Sequence, residues 1–353
     1  MNTPIKPKRD PTIDVVRGLL MLYIIFIIHG FFWLNLVPEV VRSSLLFEMP
    51  LIFIISGYAL NLAEAQKEAK EQLTYMKFML ARLSRILLPY FAYATAGIVI
   101  CSVYSQYNNQ STWHPLQIVA GWLNPFADRS QYTIDFLKWH LWFIPTFLLI
   151  TAALPFAIKL KLPVRVPLWL LTLGATGAIY LLSLFDFPES ALLKSVCFYL
   201  LWAVFGYHIA TAGINAYKAE YLKIAIISII GLIVIFSLSA DPGIRIMQYN
   251  KFPPNAVFFL FNCLWVATFL RLASVFQNQL QTFCLYLAQQ WWLKPFMTSG
   301  YSIYLWQGIG YSIAVRLGNY ISLPIGITWI TALLFTVALG LLASPIERIR
   351  IRF

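Results

Sequence analysis

VVRGLLMLYIIFIIHGFFWLNL, residues 15–36, decides the class of this protein. Only Arg17, His29 and, near its end, Asn35 interrupt an apolar run long enough for a membrane-spanning helix, which needs about 20 residues to cross roughly 30 Å of hydrocarbon. A secretory signal has a shorter apolar stretch of about 7–15 residues and a small-residue cleavage site. Neither fits here, so the run is expected to remain as the first span. The polar segment ahead of it, Met1 to Asp14, carries Lys6, Lys8 and Arg9.

The same pattern recurs along the chain. Runs bounded by charges, prolines or polar clusters fall at 45–62, 84–105, 139–158, 167–185, 192–212, 222–240, 254–273, 296–317 and 322–344. Composition agrees, with 60% hydrophobic and 11% charged residues among 353, against about 25% charged in a soluble domain. Mean hydropathy is +0.71. The expected fold is an all-α integral membrane protein of about ten transmembrane helices. One membrane domain should fill residues 1–353, with no fused soluble domain. Pro50 near the start of the second run and Pro145 inside the fourth are tolerable where neighbouring helices satisfy freed backbone groups.

Lysine and arginine placement orients the chain. With the N-terminus inside, 19 of the 26 basic residues fall on inner segments; Arg42, Arg129, Lys138, Lys194, Arg245, Lys251 and Arg316 fall outside. The acids divide evenly, so the inner face carries the whole net charge of +12. Both termini are expected to be cytoplasmic. No basic soluble domain exists to carry nucleic acid, so the basic balance reports topology first.

Three connections stand out. Residues 63–83 read as a polar helix along the inner membrane surface, 106–138 as a long outer loop containing His114 and Trp122, and 277–293 as an interfacial helix. Cys101, Cys197, Cys263 and Cys284 lie in apolar context without disulfide or metal-ligand spacing and read as packing residues. No metal and no permanently bound cofactor are expected. Trp33, Trp122, Trp139, Trp291 and Trp292 read as interfacial anchors, and Trp142 draws interest only as a neighbour of His140.

An ionisable group inside a span is costly and therefore a candidate functional residue. His29 lies deepest, about 21 Å from the inner boundary at 1.5 Å per residue. Read alone, it is equally well a histidine hydrogen-bonded between helices. Arg17 opens the same helix as an inner-boundary charge. Arg82 and Arg85, three apart, share one face of the third helix and offer planar forks for phosphate. Glu48 and His140 open the second and fourth spans, near the expected outer surface, where hydration is the simplest reading.

Several of these segments together resemble the membrane acyltransferase-3 family, which includes enzymes that O-acetylate bacterial surface glycans. Asp14-Val-Val-Arg17 with His29 is similar to its first-helix motif. Phe47-Glu48-Met-Pro through Ser56-Gly57-Tyr58 resembles its second-helix signature. Arg82-Leu-Ser-Arg85, His140-Leu-Trp142-Phe-Ile-Pro145, Ser302-Ile-Tyr304-Leu-Trp306 and Ser344-Pro-Ile-Glu347 follow in the family's order.

The resemblance implies an acyl group, acetyl by preference, moving from cytosolic acyl-coenzyme A to a glycan or lipid-linked sugar hydroxyl in the plasma membrane. It implies catalytic roles for His29 and Arg17, acyl-coenzyme A binding by Arg82 and Arg85, and acceptor-side or supporting places for Glu48, His140, Trp142, Ser56, Tyr304 and Gln307. His29 would serve as general base or as transient acyl carrier. Two features depart from the family. Arg17 and His29 are twelve apart rather than eleven, which at roughly 100° per residue turns them about 120° rather than 20° apart unless a π-bulge absorbs the extra residue. Gln307 stands where many members have histidine. The competing readings are a glycolipid or small-anion transporter and a noncatalytic assembly partner.

Overall fold

A computed structural model describes residues 10–67, 75–108, 113–159, 166–187 and 190–349. Helices cover each of the ten predicted spans. Together with one helix in the long loop and one in the expected interfacial segment, they are α1 (Pro11–Trp33), α2 (Glu48–Lys67), α3 (Tyr75–Tyr107), α4 (Pro115–Leu123, in the long loop), α5 (Phe143–Ala157), α6 (Leu168–Ser183), α7 (Ser190–Ala212), α8 (Lys218–Leu238), α9 (Ala256–Val275), α10 (Gln277–Leu287, in the interfacial segment), α11 (Lys294–Tyr320) and α12 (Ile325–Glu347). Eight described helices are long and apolar enough to cross a membrane. The two remaining spans are α6, with only 16 residues, and α11, which carries Ser299, Ser302, Gln307, Ser312 and Arg316 along its 27. Among the described residues there is no strand, only a bridge between Lys251 and Pro254.

The prolines sit where helices tolerate them. Pro50 and Pro145 are each the third residue of their helix, inside the first turn, where no intrahelical bond is lost. Pro145 therefore lies at the opening of α5 rather than within it, because a 3-10 turn, Trp139–Trp142, precedes the α-helix. The surface helix expected over 63–83 is partly resolved otherwise: α2 continues to Lys67 and α3 begins at Tyr75. Residues 68–74, with Lys70, lie outside the described residues, as do Lys6, Lys8, Arg9, Lys161, Arg165, Arg350 and Arg352.

The chain divides into two compact units. The first comprises Met1–Leu20, Val37–Leu73 and Ala152–Gln290. Its centre is the crossing of α2 and α7. A Cβ at Gly57 would meet the Ala203 carbonyl, and one at Gly206 would meet the Ile54 carbonyl. Apolar surface does not drive helices together in lipid, so close backbone approach at small residues supplies the packing. Gly57 of the Ser-Gly-Tyr signature thus has a packing role.

The second unit comprises Met21–Leu36, Thr74–Thr151 and Trp291–Phe353. The long loop folds onto α3 within it. Tyr90 donates to the Trp122 carbonyl and Tyr93 to the Leu137 carbonyl, each at 2.7 Å, and the Trp122 indole donates to Tyr132 O at 2.8 Å. Lys138 donates to the carbonyls of Gly121 and Gln131 at 2.9 Å over the Trp122 ring. Burial pushes its amine down to about 8. Trp122 is fully buried and Trp33 is 8% exposed, so neither is an interfacial anchor. Trp139, Trp291 and Trp292 are exposed, as an anchor would be.

Candidate active site

The site grows from a change of helix type in α1. Tyr23–Ile28 is a π turn, lying between Arg17 and His29 in the chain. A π turn absorbs an extra residue, so the helix contains the device that a twelve-residue spacing calls for. Side chains meet two of its carbonyls: Tyr311 of α11 donates to Ile25 O at 2.7 Å, and the Trp329 indole of α12 donates to Phe26 O at 2.8 Å. Gly30, directly after His29, leaves the space that the Trp329 ring fills.

His29 leaves this turn half-buried. Its Nδ1 lies 2.7 Å from Oε1 of Gln307, which is fully buried on α11. One face of the imidazole stacks on Trp33, four residues on, with ring centroids 4.6 Å apart and planes 12° from parallel. Trp33 is wedged in turn by Phe136 at 5.2 Å and Tyr311 at 5.0 Å. Tyr304 stands 5.9 Å from His29, ring to ring.

His140 holds the partner helix. It is fully buried rather than hydrated, because the 3-10 turn carries it against α11. Its Nε2 donates to Leu305 O at 2.9 Å, while the Tyr304 hydroxyl donates to His140 O at 2.7 Å. The two bonds lock the turn to the stretch of α11 that presents Gln307. The Tyr93 ring lies 5.5 Å from His140, and a Cβ at Gly308 would collide with the Tyr93 hydroxyl.

Below this stretch α11 breaks at Ser299 (φ −137°, ψ 24°). Oε2 of Glu347 accepts from the Ser302 amide at 3.0 Å and its hydroxyl at 2.8 Å. A carboxylate at a helix N-terminus satisfies backbone donors and complements the dipole. Two motif segments quoted from the sequence, around Ser302 and around Glu347, meet here.

A family model described as an acyltransferase domain, that of acyltransferase-3, matches residues 10–346. The chain belongs to the acyltransferase-3 family. It is an acyltransferase of the kind that moves acyl groups other than aminoacyl groups, and its helices make it a multi-pass membrane protein. No curated protein and no solved structure matches the chain.

In this acyltransferase Arg82 is half-buried and Arg85 exposed on α3. They precede Tyr93 by eleven and eight residues, which is about 16 and 12 Å of helix. The second unit thus contains both the arginine pair and His29. Arg17, Glu48 and Ser56 belong to the first unit. Arg17 pairs with Asp14 at 2.8 Å and is 41% exposed. Ser56 is half-buried on α2 beside the Gly57 crossing.

Glu48 departs from expectation. It is 2% exposed, and its Oε1 takes Lys251 Nζ at 2.7 Å in a buried ion pair. Lys251, Lys138 and Lys194, read from the sequence as outer-face charges, are all buried. Trp142 is half-buried in the same 3-10 turn as His140. Among the described residues no three His, Cys, Asp or Glu side chains converge as metal ligands.

Sequence reasoning missed Trp33. Its signal was the i, i+4 spacing from His29, which puts both rings on one helix face.

Proposed function

We propose that this acyltransferase moves an acyl group, acetyl by preference, from cytosolic acyl-coenzyme A to a hydroxyl of a glycan or lipid-linked sugar in the plasma membrane. The observation that carries this reading is His29, half-buried in the second unit and fixed by Trp33 and Gln307. His29 takes the proton of the acceptor hydroxyl as its oxygen attacks the thioester carbonyl. The new C–O bond forms, the C–S bond breaks, and the proton passes to the leaving thiolate. In a second route the imidazole nitrogen first attacks the thioester carbonyl and takes the acyl group as the C–S bond breaks and the thiolate leaves, and the sugar hydroxyl then removes the acyl group from the imidazole. Both routes place His29 at the reacting carbon.

Arg82 and Arg85 hold the donor phosphates by charge-assisted bonds, while the thioester arm reaches along α3 toward Tyr93. Alanine at either position is expected to weaken acetyl-coenzyme A binding at least tenfold in a calorimetric titration of the purified protein. Lysine should restore it only partly, since it lacks the planar fork. Unchanged affinity in a well-folded Arg82→Ala/Arg85→Ala protein would reduce the pair to topology signals.

This reading requires a cytoplasmic inner face for the basic segments. Cysteines introduced at Ile349 and at Gln131, in a background lacking the four native ones, separate the orientations. Impermeant maleimide should label Gln131→Cys in intact cells and Ile349→Cys only after lysis. The reverse pattern would invert the protein and remove the donor from Arg82 and Arg85.

A further inference from the structure

Gln307 occupies an unusual place for an amide. It is fully buried, its Oε1 lies 2.7 Å from His29 Nδ1, and its own Nε2 has no hydrogen-bond partner among the described residues. A carboxamide oxygen only accepts, so the short contact requires the proton on Nδ1 of His29. The neutral imidazole then carries its lone pair on Nε2. Trp33, stacked at 4.6 Å, covers one face of the same ring. Together the two neighbours set the tautomer and the tilt of the imidazole, and Nε2 is the nitrogen that carries the lone pair.

The mounting of Gln307 is rigid. Leu305, two residues earlier on α11, is tied through its carbonyl to His140, and Tyr304 is tied back to the His140 carbonyl. Gly308, the next residue, packs against the Tyr93 hydroxyl and the His140 ring with no room for a Cβ. The helix therefore cannot rotate Gln307 away without breaking these contacts. An amide at this position gives direction without charge. A carboxylate there would orient the imidazole equally well and would also stabilise its protonated form.

We infer that Gln307 is the positioning residue of acyl transfer, holding His29 as the Nδ1–H tautomer so that Nε2 is the atom that takes the acceptor's proton. The inference rests on the reading of His29 as the reacting residue. Gln307 itself touches neither donor nor acceptor. It acts through the imidazole.

Two variants of near-equal length test this with the full-length protein in detergent. Gln307→Met keeps the volume and removes the acceptor. It is expected to lower kcat with acetyl-coenzyme A roughly 10²-fold while leaving its KM unchanged, because a mis-set tautomer deprives the reaction of its base. Gln307→Glu keeps the acceptor and adds charge. It should retain substantial activity and move the acidic limb of the pH–rate profile upward by about one unit, the direction expected for an imidazolium beside a carboxylate.

Nitrogen-15 spectra of histidine-labelled protein read the tautomer without any turnover. The signal removed by His29→Asn should show Nδ1 protonated in the parent and not in Gln307→Met. Methionine with parent kcat, or a parent His29 protonated on Nε2, would overturn the positioning role. If the spectra show the Nδ1–H form while His29→Asn still transfers acyl groups, Gln307 sets a tautomer that catalysis does not use. The inference then fails together with the reading of His29 as the base, and that pattern separates the two failures.

Discussion

His29→Ala is expected to abolish measurable acyl transfer while the protein still inserts, folds and binds acetyl-coenzyme A. Removing a positioned general base costs about 10²–10⁴-fold in rate, or about 3–5 kcal/mol of barrier. The donor site should survive, because Arg82 and Arg85 lie about 12–16 Å along α3 from Tyr93, the residue by which that helix meets His140. His29→Gln is the sharper variant. It preserves a polar side chain beside Gln307 and a flat group against Trp33, yet it offers no nitrogen that takes a proton near neutral pH. If His29 served only to hold helices together, glutamine would be active and alanine merely less stable. Turnover of acetyl-coenzyme A by His29→Gln at the parent rate would defeat the catalytic assignment. His140 is a poor substitute, since it is fully buried and packed against the α11 backbone.

Breaking the Glu48–Lys251 pair should produce the largest loss of stability of any single substitution considered for this acyltransferase. Both side chains are at most 5% exposed and meet at 2.7 Å. Lys251→Met leaves a carboxylate buried without its counter-charge, and such losses run at about 3–5 kcal/mol. Glu48→Gln should cost somewhat less, because the amide still accepts from the ammonium. The informative variant is the double substitution Glu48→Leu/Lys251→Met. Apolar replacement of a whole buried pair is often neutral or stabilising, so thermal unfolding in detergent should recover most of the loss. Its transfer activity then decides the place of Glu48. An active double variant makes Glu48 a structural residue of the first unit. A stable but inactive one restores the acceptor-side role that the sequence resemblance implies.

The positions of the spans were legible because hydrocarbon leaves the backbone few solutions. A run of about 20 apolar residues must satisfy its own amides, and a helix does so. The motif order, from Arg17 and His29 through Arg82 and Arg85 to Glu347, was legible for a different reason. It rests on residue identity alone, and the family match over residues 10–346 agrees with it. The twelve-residue spacing left two readings, a π-bulge or an Arg17 that serves a different direction, and the helix contains a π turn at Tyr23–Ile28.

What the sequence could not reveal is which faces meet. Lipid and protein interior are almost equally apolar, so hydropathy does not separate a tryptophan at the bilayer edge from one inside the bundle. Trp33 and Trp122 were misplaced for that reason. Three lysines read as outer-face charges for a similar reason: nothing local marks Lys138, Lys194 or Lys251 as buried, because their partners are carbonyls and a carboxylate brought in by the fold. The bond between His29 and Gln307 joins residues 278 positions apart, a separation that no period encodes. The sequence by itself determined a helical membrane acyltransferase and offered His29 as its candidate residue. Only tertiary structure decided what holds that histidine, because a hydrogen bond is set by distance and direction between helices, and neither is written along a single chain.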